Sequence, residues 1–292
     1  MDNLLQLIVS GLATGGIYAL AAIGFALLWQ TSQTVNFAQG EFVMIPAFFI
    51  LAAMKYLSLP FWASALLALV ISLLVLGVAF KRAVVDPLLH SGFVPLVIAT
   101  LGLSLFMKEG VKIFYSAEPQ PFPAFDAAAK VSVFGAAVSM QSVVVLGVAV
   151  ATVLALQLFV ARTRTGRCMQ ATAQNPMVAR LLGVQVDRMI QLTFLINAGL
   201  VTIASILVTP IYYASYNNGE TLGMAAFIAA IVGGFNQIRG AIFGGFLLGI
   251  IDNLSAAYIS AAYRSVLPLL LLVLVILFRP QGILGRVEER VL

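Results

Sequence analysis

Apolar runs of about 20 residues, each long enough to cross a hydrocarbon core about 30 Å thick as a helix, recur along almost the whole chain. Their spacing predicts helices at about 5–29, 42–57, 61–80, 93–107, 142–160, 191–213, 222–236, 240–262 and 266–278. The runs at 42–57 and 93–107 fall below the usual minimum of about 17 residues. They read as half-helices or as segments buried against other helices rather than lipid-facing spans. The stretch Glu118-Pro119-Gln120-Pro121-Phe122-Pro123 cannot be helix interior, because each proline removes a backbone donor and fixes φ, so it is expected as an extended cap. Residues 131–140 are expected to form a small hairpin around Gly135.

Two of the polar breaks resemble each other. Gly40-Glu41 follows Asn36 and Gln39 and leads into the run at 42–57, while Gly219-Glu220 follows Asn217-Asn218 and leads into the run at 222–236. Each pair stands between a long run and a short one, the first on the inner side and the second on the outer side of the expected topology. That is the pattern of an inverted repeat of four spans and four, joined by the span at 142–160.

Composition removes the soluble alternatives. Of 292 residues, 62% are hydrophobic and 9% charged, against about 25% charged in a soluble domain. Outside the spans there remain mainly an inner loop at about 161–190 and an outer loop at about 108–141, too little for a separate catalytic domain. The expectation is an all-α polytopic membrane protein, a single transmembrane domain over 1–292 with about nine (8–10) transmembrane or half-spanning helices. Met1-Asp2-Asn3 lacks the basic start of a cleavable signal peptide, so the first helix is expected to be retained. Cys168 is the only cysteine and cannot form an internal disulfide, and no Cys or His cluster offers a metal site. No Gly-x-Ser-x-Gly, His-Glu-x-x-His or Walker-type sequence occurs, which argues against catalysis, a bound cofactor or nucleotide binding by this chain.

The net charge of +5 reports orientation rather than affinity for nucleic acid. With the N-terminus outside and the C-terminus inside, 11 of the 16 Lys and Arg residues fall on inner loops and five outside. The inner loop at 161–190 is the most unusual segment. Within it 167–173 suits a short helix, Asn175-Pro176 restarts the chain, and 177–182 suits a second turn ending at Gly183. Apolar Met169, Ala173, Met177, Leu181 and Val184 recur near helical spacing, with Arg167, Gln170, Asn175 and Arg180 on another face. Such an element fits the inner membrane surface, or a groove on a soluble partner, or serves only as a positive topogenic loop.

Small residues spaced Gly11-x-x-x-Gly15, Gly240-x-x-x-Gly244 and Gly245-x-x-x-Gly249 are expected to let helices of this chain approach closely. Glu41 and Glu220 stand at helix starts, where a carboxylate is favoured by unpaired N–H groups. The alternative is that Asn36, Gln39, Gly40, Glu41, Asn218, Glu220 and Asp252 border an aqueous route through the membrane. Asp252 lies mid-span and must face the interior. His90 reads as an interfacial loop residue without chemistry.

The sequence Gly11-Leu12-Ala13-Thr14-Gly15-Gly16-Ile17-Tyr18-Ala19-Leu20, followed by Asn36-Phe37-Ala38-Gln39-Gly40-Glu41-Phe42, resembles the opening of the permease subunits of branched-chain amino-acid ABC importers. Thr165-Gly166-Arg167, Asn175-Pro176, Ala179, Leu182-Gly183-Val184, Gly233-Gly234, Gly240-Ala241-Ile242-Phe243-Gly244-Gly245 and Arg279-Pro280-Gln281-Gly282-Ile283-Leu284-Gly285 resemble the same family, in the same order. Phe235-Asn236-Gln237 departs from the glycine-rich turn more usual there. The resemblance implies a bacterial inner-membrane subunit that pairs with a second permease, two cytoplasmic ATPases holding ATP and Mg, and a periplasmic solute-binding protein. It further implies that the loop containing Arg167, Gln170, Asn175, Ala179, Arg180, Leu182 and Gly183 couples to an ATPase. The solute stays open among branched-chain amino acids, urea, amides and aromatic acids. The competing class is an ion-coupled secondary transporter or channel that works without an ATPase.

Overall fold

The computed structural model describes residues 2–88, 92–123, 130–133, 136–260 and 266–285. Every predicted run is helical: α1 (Asp2–Ser32), α2 (Gln39–Tyr56), α3 (Phe61–Ser72), α5 (Phe93–Phe114), α6 (Met140–Arg162), α9 (Val186–Tyr212), α10 (Asn218–Gly233), α11 (Ile238–Tyr258) and α12 (Val266–Phe278). From α3 the chain continues through π-helical turns at Leu73–Ala79 and Lys81–Val85 into α4 (Asp86–Leu88). Two short helices, α7 (Arg164–Gln174) and α8 (Pro176–Leu181), fill the loop at 161–190. Among the described residues six helices are long and apolar enough to cross a membrane, and α10 and α12 are shorter apolar helices. The expected hairpin is present as β1 (Lys130–Val133) paired antiparallel with β2 (Ala136–Ser139). Gly135 and His90 lie outside the described residues. The Pro-rich segment is extended, and Gln120 exchanges backbone hydrogen bonds of 2.9 Å with Ala214.

One element corrects the sequence expectation. The run at 93–107 is not a half-helix, because α5 continues to Phe114, so the loop expected from about 108 starts near Tyr115. Lys108, Glu109 and Lys112 interrupt the apolar run but not the helix, since Lys112 pairs with Glu109 one turn away and Lys108 pairs with Glu220. Nor is α5 buried: Phe106, Ile113 and Phe114 are among its exposed side chains. By contrast α2 is buried along most of its length, as a short run in a membrane domain requires.

The chain forms two compact units. The first comprises Met1–Ala26, Phe125–Ala151 and Ala225–Leu292. Within it α1 and α11 meet through small residues. A Cβ on Gly11 would stand 2.9 Å from Ile250 Cα, and one on Gly15 would stand 2.8 Å from Phe246 Cα. Gly245 and Gly249 face Ala19 and Gly15, while Gly240 and Gly244 face Gly233 and Ala229 of α10. Lipid tails are as apolar as leucine, so this close approach gains dispersion and weak polar contacts where burial alone gains little. Phe235 packs against Phe25 and Phe227, with ring centroids 6.2 and 6.0 Å away, and the turn between α10 and α11 is tight despite lacking the extra glycine. The segment after α12 folds back so that the Ile283 and Leu284 amides donate 2.9 Å bonds to the Val232 and Gly233 carbonyls, supplying partners at the end of α10.

The second unit comprises Leu27–Ala124 and Thr152–Met224. Here α2 is the hub, packed on α3, α5 and α9. Its core includes Met44, Phe48, Ile50, Ala68, Phe122 and Ala214. Phe80 meets Phe42 edge to face and Phe194 at a tilt, with ring centroids 4.9 and 5.9 Å away. The π-helical turns have a local cause. Gly77 brings its backbone close to Leu195, and the Gln191 side-chain amide donates to the Gly77 carbonyl at 3.1 Å, drawing that carbonyl out of the α ladder.

Candidate functional site

The two Gly-Glu elements are built by breaks of similar logic. After α1, Gln33 adopts φ +54°, and Asn36 then accepts from the Ala38 amide with Oδ1 and from the Gln39 amide with its carbonyl, at 3.0 and 3.1 Å. This turns the chain into α2. After α9, Tyr213 adopts φ +62°, and the Asn218 side chain donates to its carbonyl at 2.6 Å, turning the chain into α10. The sequence placed these elements on opposite sides of the membrane, whereas the structure brings them into one crossing. Gly40 lies against Gly219 and Gly223 with backbone touching backbone, and Glu41 lies over Gly219. Absence of side chains at these three positions is what admits the contact. The polar breaks in the sequence reveal where helices start, but not the depth at which they start.

Charged groups gather at this crossing. Glu41 is 3% exposed, lies near the Ser104 hydroxyl, and feels the positive charge of Lys108. Lys108 Nζ donates to Glu220 Oε2 at 2.7 Å. A helix start stabilises a carboxylate by about 0.3–1 kcal/mol, up to about 2, whereas desolvating one costs several kcal/mol. The helix start alone is therefore too weak to offset the burial of Glu41, and nearby Ser104 and Lys108 counter that burial only in part. The Glu220 side chain remains 71% exposed.

Beside the crossing, Gln39 and Asn197 exchange side-chain hydrogen bonds of 2.7 and 3.0 Å, both residues buried. Asn36 is also buried, and its Nδ2 has no partner among the described residues. The structure thus gathers Asn36, Gln39, Gly40, Glu41, Asn218 and Glu220. Asp252 belongs to the other unit, where it is buried as expected and accepts a 2.9 Å hydrogen bond from the Tyr18 hydroxyl.

The loop at 161–190 folds as its caps dictate. Thr163 accepts from the Gly166 amide at 2.9 Å, and Gly166 sits against the backbone of Phe159 and Val160, making a sharp corner from α6 into α7. Asn175 Oδ1 accepts from the Met177 and Val178 amides, both at 3.0 Å, and Pro176 opens α8. Gly183 has φ +81°, and the Val184 amide closes on the Ala179 carbonyl at 2.9 Å, the left-handed helix end that glycine favours. Arg167, Gln170 and Arg180 are exposed.

The expected continuous apolar stripe is a correction. Gly166, Met169, Thr172 and Ala179 are the buried side, but Met177, Leu181 and Leu182 are 75%, 82% and 76% exposed. Asn175 and Pro176 reset the helical phase, so spacing counted across them no longer tracks one face. The result is an apolar ridge on α8 with Arg180 beside it.

Lys108, Ser104 and Asn197 escaped the sequence reading. Lys108 follows the apolar run and so falls in the loop expected at about 108–141. Asn197 stands alone in a long apolar span, the same signal that singled out Asp252.

A family model described as "Branched-chain amino acid transport system / permease component" matches residues 7–276. The chain is similar to the high-affinity branched-chain amino acid transport system permease protein LivH of Salmonella typhimurium, 34% identical over 97% of this chain and 96% of that protein. It is similar to the permease protein BraD of Pseudomonas aeruginosa, 33% identical over the same shares. A probable branched-chain amino acid transport permease of Methanocaldococcus jannaschii is 26% identical over 92% of this chain and 89% of that protein. No solved structure matches the chain.

Proposed function

The chain belongs to the branched-chain amino-acid transport system permease family, and from that premise we propose that it is the membrane permease subunit of an ATP-driven importer for branched-chain amino acids or a related small polar solute. It works as a multi-pass protein of the bacterial inner membrane, N-terminus outside and C-terminus cytoplasmic. It forms the translocation path with a second permease of the same family. Two cytoplasmic ATPases bind ATP and Mg and supply the energy, and a periplasmic binding protein delivers the solute. The chain itself performs no covalent chemistry.

The observation that carries this reading is the crossing of α2 and α10, where Glu41, Ser104, Lys108 and Glu220 form a polar cluster in an otherwise apolar domain. An exposed carboxylate on a membrane-spanning chain is tolerated only against water or protein. Glu220 therefore borders the route, with Glu41 behind it. A pair of opposite charges there suits a solute that carries both an ammonium and a carboxylate. The α8 ridge of Met177, Leu181 and Leu182 docks into a groove on an ATPase, and the rigid corners at Thr163, Asn175 and Gly183 pass movement to α6 and α9.

Solute-stimulated ATP hydrolysis of the reconstituted importer tests the reading. Gly183→Val and Ala179→Asp are expected to abolish the stimulation or the assembly while leaving membrane insertion intact. Unchanged stimulation in both variants would remove the loop from the mechanism.

A further inference from the structure

A groove of about 620 Å³ opens between α2, the π-helical turns and α5, lined by apolar and aromatic side chains that include Phe42, Phe49, Phe80 and Met107. Its volume falls in the range of about 300–1,000 Å³ typical of small-molecule sites. No charged or amide side chain lines it, and the polar side chains in its lining are those of Tyr56 and Tyr115, so a polar solute finds little there to replace its water. The lining runs along α2 from Phe42 to Tyr56, about 21 Å at a rise of about 1.5 Å per residue. Half of a hydrocarbon core about 30 Å thick is shorter than that. The slot is therefore long enough for an entire acyl chain of one leaflet.

The Tyr56 end carries a second, independent signal. Lys55 Nζ lies 5.4 Å from the centre of the Tyr56 ring and 5.6 Å from that of Tyr115, and both rings line the groove. Lys55 forms no ion pair among the described residues. Tyr56 beside it and Trp62 at the start of α3 are both exposed, the residue types that settle at the membrane–water interface. A cation held at interface level above an apolar slot that descends into the hydrocarbon matches the layout of a phospholipid. An unfilled slot of this size would leave its aromatic walls without dispersion partners.

We propose that this groove is a phospholipid site, with one acyl chain between α2, the π-helical turns and α5 and the phosphate on Lys55. The site shares no lining residue with the neighbouring polar crossing and does not depend on which solute is carried.

Native mass spectrometry of the purified complete importer, stripped of lipid and titrated with phosphatidylglycerol, tests the proposal. The wild type is expected to retain a saturable lipid, with affinity about fivefold weaker in Lys55→Gln, close to wild type in Lys55→Arg, and no saturable lipid in Ala52→Trp, which fills the groove. Photoreactive acyl chains on the unmodified complex give a readout independent of folding in the variants, and are expected to label residues within 103–115. Equal retention in wild type, Lys55→Gln and Ala52→Trp, or labelling confined to other helices, would overturn it. Cross-linking of a Met107→Cys importer to the partner permease would likewise assign the groove to protein and refute the lipid.

Discussion

Gln39 and Asn197 satisfy each other inside the protein, and a buried amide deprived of its partner costs about 1–3 kcal/mol. Asn197→Leu should therefore lower the thermal unfolding temperature in detergent, and Gln39→Leu combined with Asn197→Leu should recover part of the loss, because neither amide is then orphaned. A double variant less stable than the sum of its parts would contradict the pairing. For Glu220 the expectation is functional. Glu220→Gln keeps size and hydrogen bonding but removes the partner of Lys108, so the importer should assemble normally and transport more slowly. Sequence position alone singled out Gln39 and Glu41 as polar groups at a helix start. It was silent on their partners Asn197, Ser104 and Lys108, which come from helices far along the chain, and only packing unites them.

At the scale of elements, three glycines set the crossing of α2 and α10 and one ends α8. Gly40→Ala would drive a methyl into the Gly219 backbone, where no flexible side chain can yield. Overpacking of this kind costs about 1–3 kcal/mol or more, so the variant should show reduced amounts of folded protein by fluorescence-detected size-exclusion chromatography. A normal yield and profile would mean that the two helix starts are further apart than described. On the inner side, Leu181→Glu should weaken docking to the ATPase while leaving the fold intact, because Leu181 is exposed. Copurification of the ATPases with the variant is the check. The restart at Asn175-Pro176 and the end at Gly183 were legible in the sequence because they act locally, whereas the Thr163 cap was not, since the expected helix began at 167 and α7 begins at Arg164. Which face of α8 is buried was not legible, because the break at Asn175 changes the phase between two short helices.

For the whole molecule, hydrophobic periodicity gave the number and order of helices with little loss, since each span must satisfy its own backbone in lipid. The small-residue spacings also identified their own partners' character, backbone against backbone within the chain, as seen for Gly11 and Gly15 against α11. Orientation rests on the distribution of arginine and lysine. In a Cys168→Ser background, Ser116→Cys should react with an impermeant thiol reagent on intact cells, and Gln174→Cys only after the membrane is opened; the reverse pattern would invert the topology. The most direct measurement of the central claim is radiolabelled leucine uptake into proteoliposomes. The complete importer, with second permease, ATPases and binding protein, should accumulate leucine only with enclosed or added MgATP on the ATPase side. The same vesicles under a proton or sodium gradient without ATP, and vesicles holding this chain alone, should accumulate none. Gradient-driven uptake by this chain alone would contradict the claim and make it a secondary transporter.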